Sequence, residues 1–412
     1  MINKMELLRK RWVLLDLPVL EETDGVNSVI THVSNVSLGI IQVAKTILFA
    51  GGEVTILDFR HLTTTDDFVE AMGKIPQSEV IGLSNNYYDT FGALGVAIKT
   101  IRATSDSVIV VGGSHVGELD IKEEELGVDI IVRKEFEVFF QQPESRKGPH
   151  PLELWPNFKE RIPVLEVTRG CFFSCEFCHH PSFEQRKLKD IETDLAFIAN
   201  YVERRELVFA TYLFGGARQL EEKVFELLYD QNFNFMAQGR PDLLAAHGWE
   251  YLQNAQNAGL CNLSLGLESV NPRTLLDFNK TKKPEKWIND TLTVLEMAKE
   301  LGIKTKLNII LFNTDSREDL KYLDEFLCDY EHLFSGVTAS PLMSFPGTPM
   351  HGKKEKCDSL SYGASRYFSE RSIYPVRNEH GITFDEALEF CNVLMKRYDY
   401  YANLWDGINA KE

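Results

Sequence analysis

The sequence predicts an α/β protein built from two parallel-sheet layers in series: a doubly wound sheet, then a partial β/α barrel. Three observations lead there. Short apolar runs alternate with amphipathic segments along most of the chain. A polar, proline-bearing stretch interrupts that alternation near residue 150. A compact trio of cysteines then follows the first strand beyond the interruption. The 412 residues also exceed what one core usually holds.

The first part, 1–145, reads as strand and helix in turn. "RWVLLDLP" is an apolar strand, and "NVSLGIIQVAKTILFAGG" is a helix closed by glycine. "EVTILDFR" is the next strand and "DDFVEAMGKI" a helix opening on acids. "VIGLSNN", the helical "YDTFGALGVAIKTIRA", the buried strand "SVIVVGG" and "ELGVDIIVRKEFE" complete a Rossmann-like domain. Ligands of such sheets sit at the carboxyl ends of the strands, which singles out the loops Ser84–Tyr88 and Gly112–Gly117.

Residues 146–160 read as a linker. From 161 to 350 six strand segments recur, each but the last followed by a helix: "PVLEVTRG", "LVFATYLFGG", "FNFMAQGRP", "NLSLGLES", "KTKLNIILF" and "GVTASPLMSFPGTPM". A partial (β/α)6 barrel follows, with its active site expected on the loops after the strands. Residues 351–412 are polar and then helical, in "TFDEALEFCNVLMKRYDYYANL".

Composition narrows the function. With 44% apolar and 25% charged residues, the chain has the balance of a soluble globular protein. The basic-then-apolar start "MINKMELLRKRWVLLDLP" contains Asp16 and lacks a small-residue cleavage site, so it reads as a first strand and not as a signal peptide. A net charge of −17 argues against nucleic acid and acidic substrates, and favours a basic peptide or a neutral small molecule. No run is long enough for a membrane span, and all seven cysteines lie at or beyond Cys171, as expected in a reducing cytoplasm.

The stretch "CFFSCEFCHHP" places Cys171, Cys175 and Cys178 directly after the first barrel strand. An odd trio this close has no consistent disulfide pairing. One reading is structural zinc with His179 or His180 as fourth ligand. The other is a [4Fe–4S] cluster with three cysteine ligands and one iron left open for chemistry.

Cys-x3-Cys-x2-Cys after the first strand of a β/α barrel resembles the radical S-adenosylmethionine (SAM) superfamily, over roughly residues 161–350. The resemblance implies that SAM chelates the open iron through its amino and carboxylate groups. One-electron reduction then yields a 5′-deoxyadenosyl radical that removes hydrogen from an inert carbon. It implies that Phe177 lies by the adenine, and that Gly215 and Gly216 of "FGG" hold the SAM amine with their carbonyls. Ala217 departs from the pattern, which often has an acid there. Arg240 in "GRPD", Glu268 in "GLES" and Asn308 in "KLNIILF" match further cofactor-facing positions, and "PGTP" (346–349) the last strand's exit. Singly each has a plain structural reading, as a turn, a solvated acid, a surface charge or a backbone-satisfying amide. Their order on successive strand ends favours the functional one.

The N-terminal segment resembles the cobalamin-binding domain that precedes many barrels of this superfamily, but the Asp-x-His-x-x-Gly motif is absent. His115, in "GGSHVG", suits a ligand tail or a structural role better than cobalt ligation. Two reactions are therefore open: cobalamin-dependent C-methylation of a peptide or natural product, or cobalamin-free peptide epimerisation. The second needs a cysteine hydrogen donor, for which Cys357 is the candidate; Cys328 and Cys391 read as core residues, and Cys261 as preceding a strand. The spare cysteines do not cluster, which counts against methylthiolation of tRNA. A non-enzymatic zinc- or cobalamin-binding module is the alternative to both. The expected partners are the substrate and an external electron donor such as flavodoxin or ferredoxin.

Overall fold

The computed structural model describes residues 3–20, 35–86, 90–351 and 374–399. They form two compact units, the first running to Val164 and including Tyr201–Arg204, the second made of the remainder from Leu165.

The first unit is a five-stranded sheet: β1 (Arg11–Asp16), β2 (Glu53–Asp58), β3 (Val80–Ser84), β4 (Val108–Gly112) and β5 (Ile130–Ile131). Its order is β2-β1-β3-β4-β5, all parallel, the doubly wound arrangement expected. Trp12 to Asp16 are all buried, because helices cover both faces of a parallel sheet. Val13, Leu15, Ile81, Leu83, Ile109 and Val111 share one core with Phe68, Phe91 and Leu94.

The strand ends expected to meet a ligand are tightly drawn together. Gly113 has φ +123°, and a Cβ there would lie 2.2 Å from the Asn85 carbonyl oxygen. Asn85 N–H donates to Gly112 O (2.8 Å), and Ser114 Oγ donates to Asn86 O (2.9 Å). His115 is buried edge-on against Phe91, at 5.5 Å between ring centroids, in a structural setting. At the ends of β1 and β2, Arg60 bridges Asp16 (3.2 Å) and Asp58 (2.9 Å), and Arg161 adds a second cation on Asp58 (3.2 Å).

The stretch expected to be a linker is packed instead. Residues 143–160 carry three 3₁₀ turns, and Ser145, Leu152 and Trp155 are buried. Lys45 donates to the carbonyls of Arg146 (3.2 Å) and Gly148 (2.6 Å), and Ser145 Oγ pairs with Thr46 Oγ1 at 2.8 Å. Its polar composition hides this, because its two buried apolar side chains, Leu152 and Trp155, form no period.

The second unit holds a six-stranded sheet of β6 (Val164–Glu166), β7 (Glu206–Ala210), β8 (Asn234–Gly239), β9 (Leu260–Glu268), β10 (Lys304–Leu311) and β11 (Gly336–Pro341). The strands follow in chain order, and the pairs from β7 to β11 are parallel. Helices Leu188–Tyr201, Arg218–Leu228, Pro241–Asn257, Pro284–Glu300 and Arg317–Asp329 make the crossovers, so the expected partial barrel is present. On β10, Thr305, Leu307, Ile309 and Leu311 are buried, while Lys304, Lys306, Asn308 and Ile310 occupy the opposite, half-buried face.

The helix Phe384–Arg397 starts with a Thr383–Glu386 capping box and packs on β11. Cys391 is fully buried on it, as expected. Cys328 is not a core residue: it is exposed, with Sγ 3.5 Å from Tyr398 Oη. Cys261 lies within β9 and does not precede it, and Cys357 falls outside the described residues. Among the described residues no helix is long and apolar enough to cross a membrane.

Trp155→Ala tests whether 143–160 belongs to the first core. Truncating a fully buried tryptophan should cost about 3–5 kcal/mol in chemical denaturation; a mere linker would show no change.

Candidate active site

The cysteine loop hangs from a narrow neck. Thr168–Arg169 pairs antiparallel with Glu184–Gln185, and Cys171 N–H donates to Pro181 O at 3.3 Å. Gly170 has φ +72°, and a Cβ there would meet Pro181 O at 2.2 Å and Ser182 O at 2.4 Å. Only glycine lets the two arms close this far. Below the neck, Cys178 N–H donates to Cys175 O (3.1 Å), so the last two cysteines flank one tight turn.

A second segment, Phe278–Lys280, holds the loop from the other side. Glu176 N–H donates to Phe278 O (3.0 Å), and Asn279 Nδ2 donates to Ser174 O and Oγ at 2.9 and 3.0 Å. In sequence this segment lies in "DFNKTKK", which reads as a solvated charge run and offers no sign of the contact.

Cys175 is buried, and Cys171 and Cys178 are half-buried. Burial pushes the Cys175 thiol up, opposed by the nearby cations Lys280 and Arg240. Cys178 is pushed up to about 11, first by burial and then by the other two sulfurs of the trio. Burial and mutual repulsion therefore disfavour the thiolate forms of Cys175 and Cys178, and the positive charge of an iron–sulfur cluster would offset that cost. The donor set fits such a cluster. Of the two histidines in the Cys₃His zinc reading, His180 does not fit: both its ring nitrogens face carbonyl oxygens, Pro181 O at 2.9 Å and Phe173 O at 2.8 Å. His179 Nδ1 lies 2.8 Å from Gly347 O. Among the described residues, no three His, Cys, Asp or Glu side chains converge on a single-metal site.

Around the loop, the matched positions fall on successive strands. Phe177 packs edge-on against Phe312 (5.5 Å) in a small core with Phe278, Leu342 and Met350. After β7, Phe214 forms a bridge to Gly239, and Gly215 turns at φ +88°. Gly215 O accepts a hydrogen bond from His247 Nε2 at 2.7 Å, and Gly216 N–H donates to Leu213 O at 2.9 Å.

The acid absent at Ala217 has a fully buried counterpart one helical turn on. Glu221 Oε1 accepts from Gly215 N–H (3.1 Å), and Oε2 accepts from the Tyr251 hydroxyl (2.9 Å). Burial raises its carboxyl to about 7 against those hydrogen bonds and one from Ala217 N–H, with Glu222 adding slightly. A glutamate in the helical run "LEEKVFELL" carries no mark of this role.

After β8, Arg240 is buried, not a surface charge. Its fork holds Asp242 (3.0 and 2.9 Å) and the Lys280 carbonyl (2.8 Å), with Nη1 3.7 Å from Cys175 Sγ. Glu268, ending β9, is likewise buried and not a solvated acid: it sits at φ +65° and accepts from Lys280 Nζ at 3.0 Å. A Cβ at Gly266 would strike that pair, 2.5 Å from Glu268 Oε1 and 3.0 Å from Lys280 Nζ. Asn308 lies three residues before the end of β10, where its Nδ2 donates to Ser264 (2.9 Å) and its Oδ1 accepts from Thr338 (2.7 Å). Cys357 is not placed, because it lies outside the described residues.

Comparison with known proteins agrees with this geometry. The radical SAM superfamily profile matches residues 165–327. The fold resembles that of a radical SAM methyltransferase, TsrM, from Kitasatospora setae, solved with cobalamin and a [4Fe–4S] cluster. The TM-score is 0.70 at 13% identity, covering 93% of this chain and 90% of that one. It also resembles OxsB, a cobalamin-dependent SAM radical enzyme, with a TM-score of 0.64 at 17% identity, covering 95% and 67% of the two chains. A putative methylthiotransferase of Methanocaldococcus jannaschii is 26% identical over 44% of each chain, so the match spans under half of that relative's length.

Two measurements check the site. Alanine at Cys171, Cys175 or Cys178 should abolish iron binding after anaerobic reconstitution, whereas His179→Ala and His180→Ala should retain iron. For Glu221, a folded-state pKa raised above the unfolded value means that stability is full at low pH and lost as pH rises toward 7. Wild type should therefore weaken relative to Glu221→Gln between about pH 5 and 7, by about 1 kcal/mol per pH unit. A pH-independent difference would show that the carboxyl is already ionised.

Proposed function

Taking residues 165–327 as a radical SAM domain, we propose that the protein is a cobalamin-dependent radical SAM C-methyltransferase acting on a peptide or small natural product. Its support is architectural: one chain carries a doubly wound parallel sheet ahead of a barrel whose first loop holds three cysteines, and over 93% of its length it shares a fold with a cobalamin- and cluster-bound methyltransferase.

In this reading the cluster and SAM supply the radical that activates a C–H bond, and the chain's own residues prepare the place. Cys171, Cys175 and Cys178 would hold the cluster. The carbonyls of Gly215 and Gly216, set by Glu221 and His247, would take the SAM amine. Phe177 would cover the adenine, and Glu268 and Asn308 would face the rest of the nucleoside. Lys280 holds Glu268 in place beforehand, so its carboxylate needs no reorganisation on binding. In the first unit, the close-drawn glycine and serine ends of β3 and β4 suit a cobalamin tail, while buried His115 offers no imidazole to cobalt.

Methylthiolation needs cysteines for a second cluster, and the spare ones described here stand on separate elements: Cys261 on β9, Cys328 on one helix and Cys391 on another. Epimerisation rests on Cys357 as hydrogen donor, and no described residue adds to that case.

Anaerobic protein supplied with SAM, reductant and cobalamin separates the reactions by its nucleoside products. C-methylation should release both S-adenosylhomocysteine, from SAM spent as methyl donor, and 5′-deoxyadenosine, from SAM spent as radical source. Epimerisation would release only the second. Release of neither, with the cluster present, would overturn the enzymatic reading.

A further inference from the structure

We propose that Arg240 sets the reduction potential of the cluster held by Cys171, Cys175 and Cys178, acting as a buried cation hydrogen-bonded to a ligand sulfur. This rests on the cluster reading above and goes beyond it by giving the arginine a task of its own.

The geometry is specific. Nη1 lies 3.7 Å from Cys175 Sγ, within the range of an N–H···S hydrogen bond. The guanidinium is stacked over Phe173, with Cζ 3.6 Å from the ring centroid, and lies 4.8 Å from that of Trp287. Phe173 belongs to the cysteine loop, so the cation is fixed against the loop and not merely near it. Its Nε and Nη2 donors are taken by Asp242 and the Lys280 carbonyl, which leaves little freedom to swing away.

The Arg240–Asp242 pair does not cancel itself at the sulfur. The arginine side chain is 8% exposed and that of Asp242 is 29% exposed. Water screens the acid more than the guanidinium, and the positive end points at Cys175. Lys280 and Glu268, by contrast, are a pair buried to a similar degree, 7% and 11% exposed. Lys280 thus adds positive charge near the sulfur in partnership with Glu268, whereas Arg240 is the cation within hydrogen-bond range of Cys175 Sγ.

Reduction adds one electron from an external donor and makes the cluster more negative by one charge, with no bond made or broken in that step. A fixed cation and an N–H···S donor stabilise the more negative state, so they raise the potential. Arg240 is also the N-cap residue of helix Pro241–Asn257, and a purely structural brace would affect folding and cluster content. It would leave the potential of an assembled cluster unchanged.

The test is an anaerobic redox titration of the reconstituted full chain without SAM, followed by electron paramagnetic resonance of the reduced cluster. Arg240→Gln should lower the midpoint by at least 59 mV, the equivalent of a tenfold change in a one-electron equilibrium. Arg240→Lys should restore part of that loss, and Asp242→Asn should shift the midpoint upward by removing the opposing charge. Unchanged midpoints in Arg240→Gln and Asp242→Asn, or shifts of the same sign, would overturn the proposal. Should Arg240→Gln fail to hold iron, Asp242→Asn alone decides it: a rise supports the assignment and no rise refutes it. Wild-type protein that assembles no cluster at all would remove the cluster reading and this inference together.

Discussion

Cysteine sulfurs gathered in one partly buried loop are costly to ionise unless positive charge lies beside them, and much of the second unit answers that constraint. The loop is pinched at Gly170 so that the thiols stay together. It is clamped from the side by Phe278–Lys280, and that same segment brings in one cation and receives another. Arg240 and Lys280 are both more than nine-tenths buried, a placement that is costly for a charge without compensating partners. Each has a carboxylate partner: Asp242, two residues on in the helix that follows Arg240, and Glu268 at the end of β9. The strand ends of the barrel are thus tied to one another through charges that the cysteine loop requires.

The glycine loop answers a different requirement, that of presenting backbone carbonyls without a side chain in the way. Gly215 has φ +88°, which alone would leave the turn soft. Glu221 fixes its N–H, and His247 meets its carbonyl. The acid here acts through the backbone, from inside the helix, and has no access to solvent. An acid missing at Ala217 is therefore compatible with an ordered loop, because ordering and ligand contact are separate tasks.

Legibility in the sequence followed the strength of the local pattern. All five strands of the first sheet and all six of the second lie in runs that are apolar or alternate clearly, as at "SVIVVGG" and "KTKLNIILF". The cysteine spacing was plain because its residue types are rare. Arg240 and Glu268 were recognisable by their order on the strands, yet their burial was not, since a charged residue in a loop reads as solvated unless its partner is known. Those partners, Lys280 at a separation of 12 residues from Glu268 and Cys175 at 65 from Arg240, are contacts that only tertiary structure creates. Residues 143–160 show the same limit in another form: their polar composition says linker, while Leu152 and Trp155 lie in the core. Cys328 erred in the opposite direction, because a helical apolar pattern does not say which side of the helix is covered.

These failures share one cause that bears on how the site works. Local pattern reports the solvent boundary of an isolated element, whereas this site is built from groups that several elements bury jointly. Lys280 sits 5.0 Å from the Trp287 ring, Arg240 sits 4.8 Å from the same ring, and Trp287 is itself held by its indole N–H on Leu267 O at 3.1 Å. One tryptophan ring thus lies against both cations and gives each an aromatic contact. Replacing it with a smaller apolar residue would leave the cations facing a void. With its indole N–H committed to Leu267, Trp287 acts on the charges around Cys175 by packing against them.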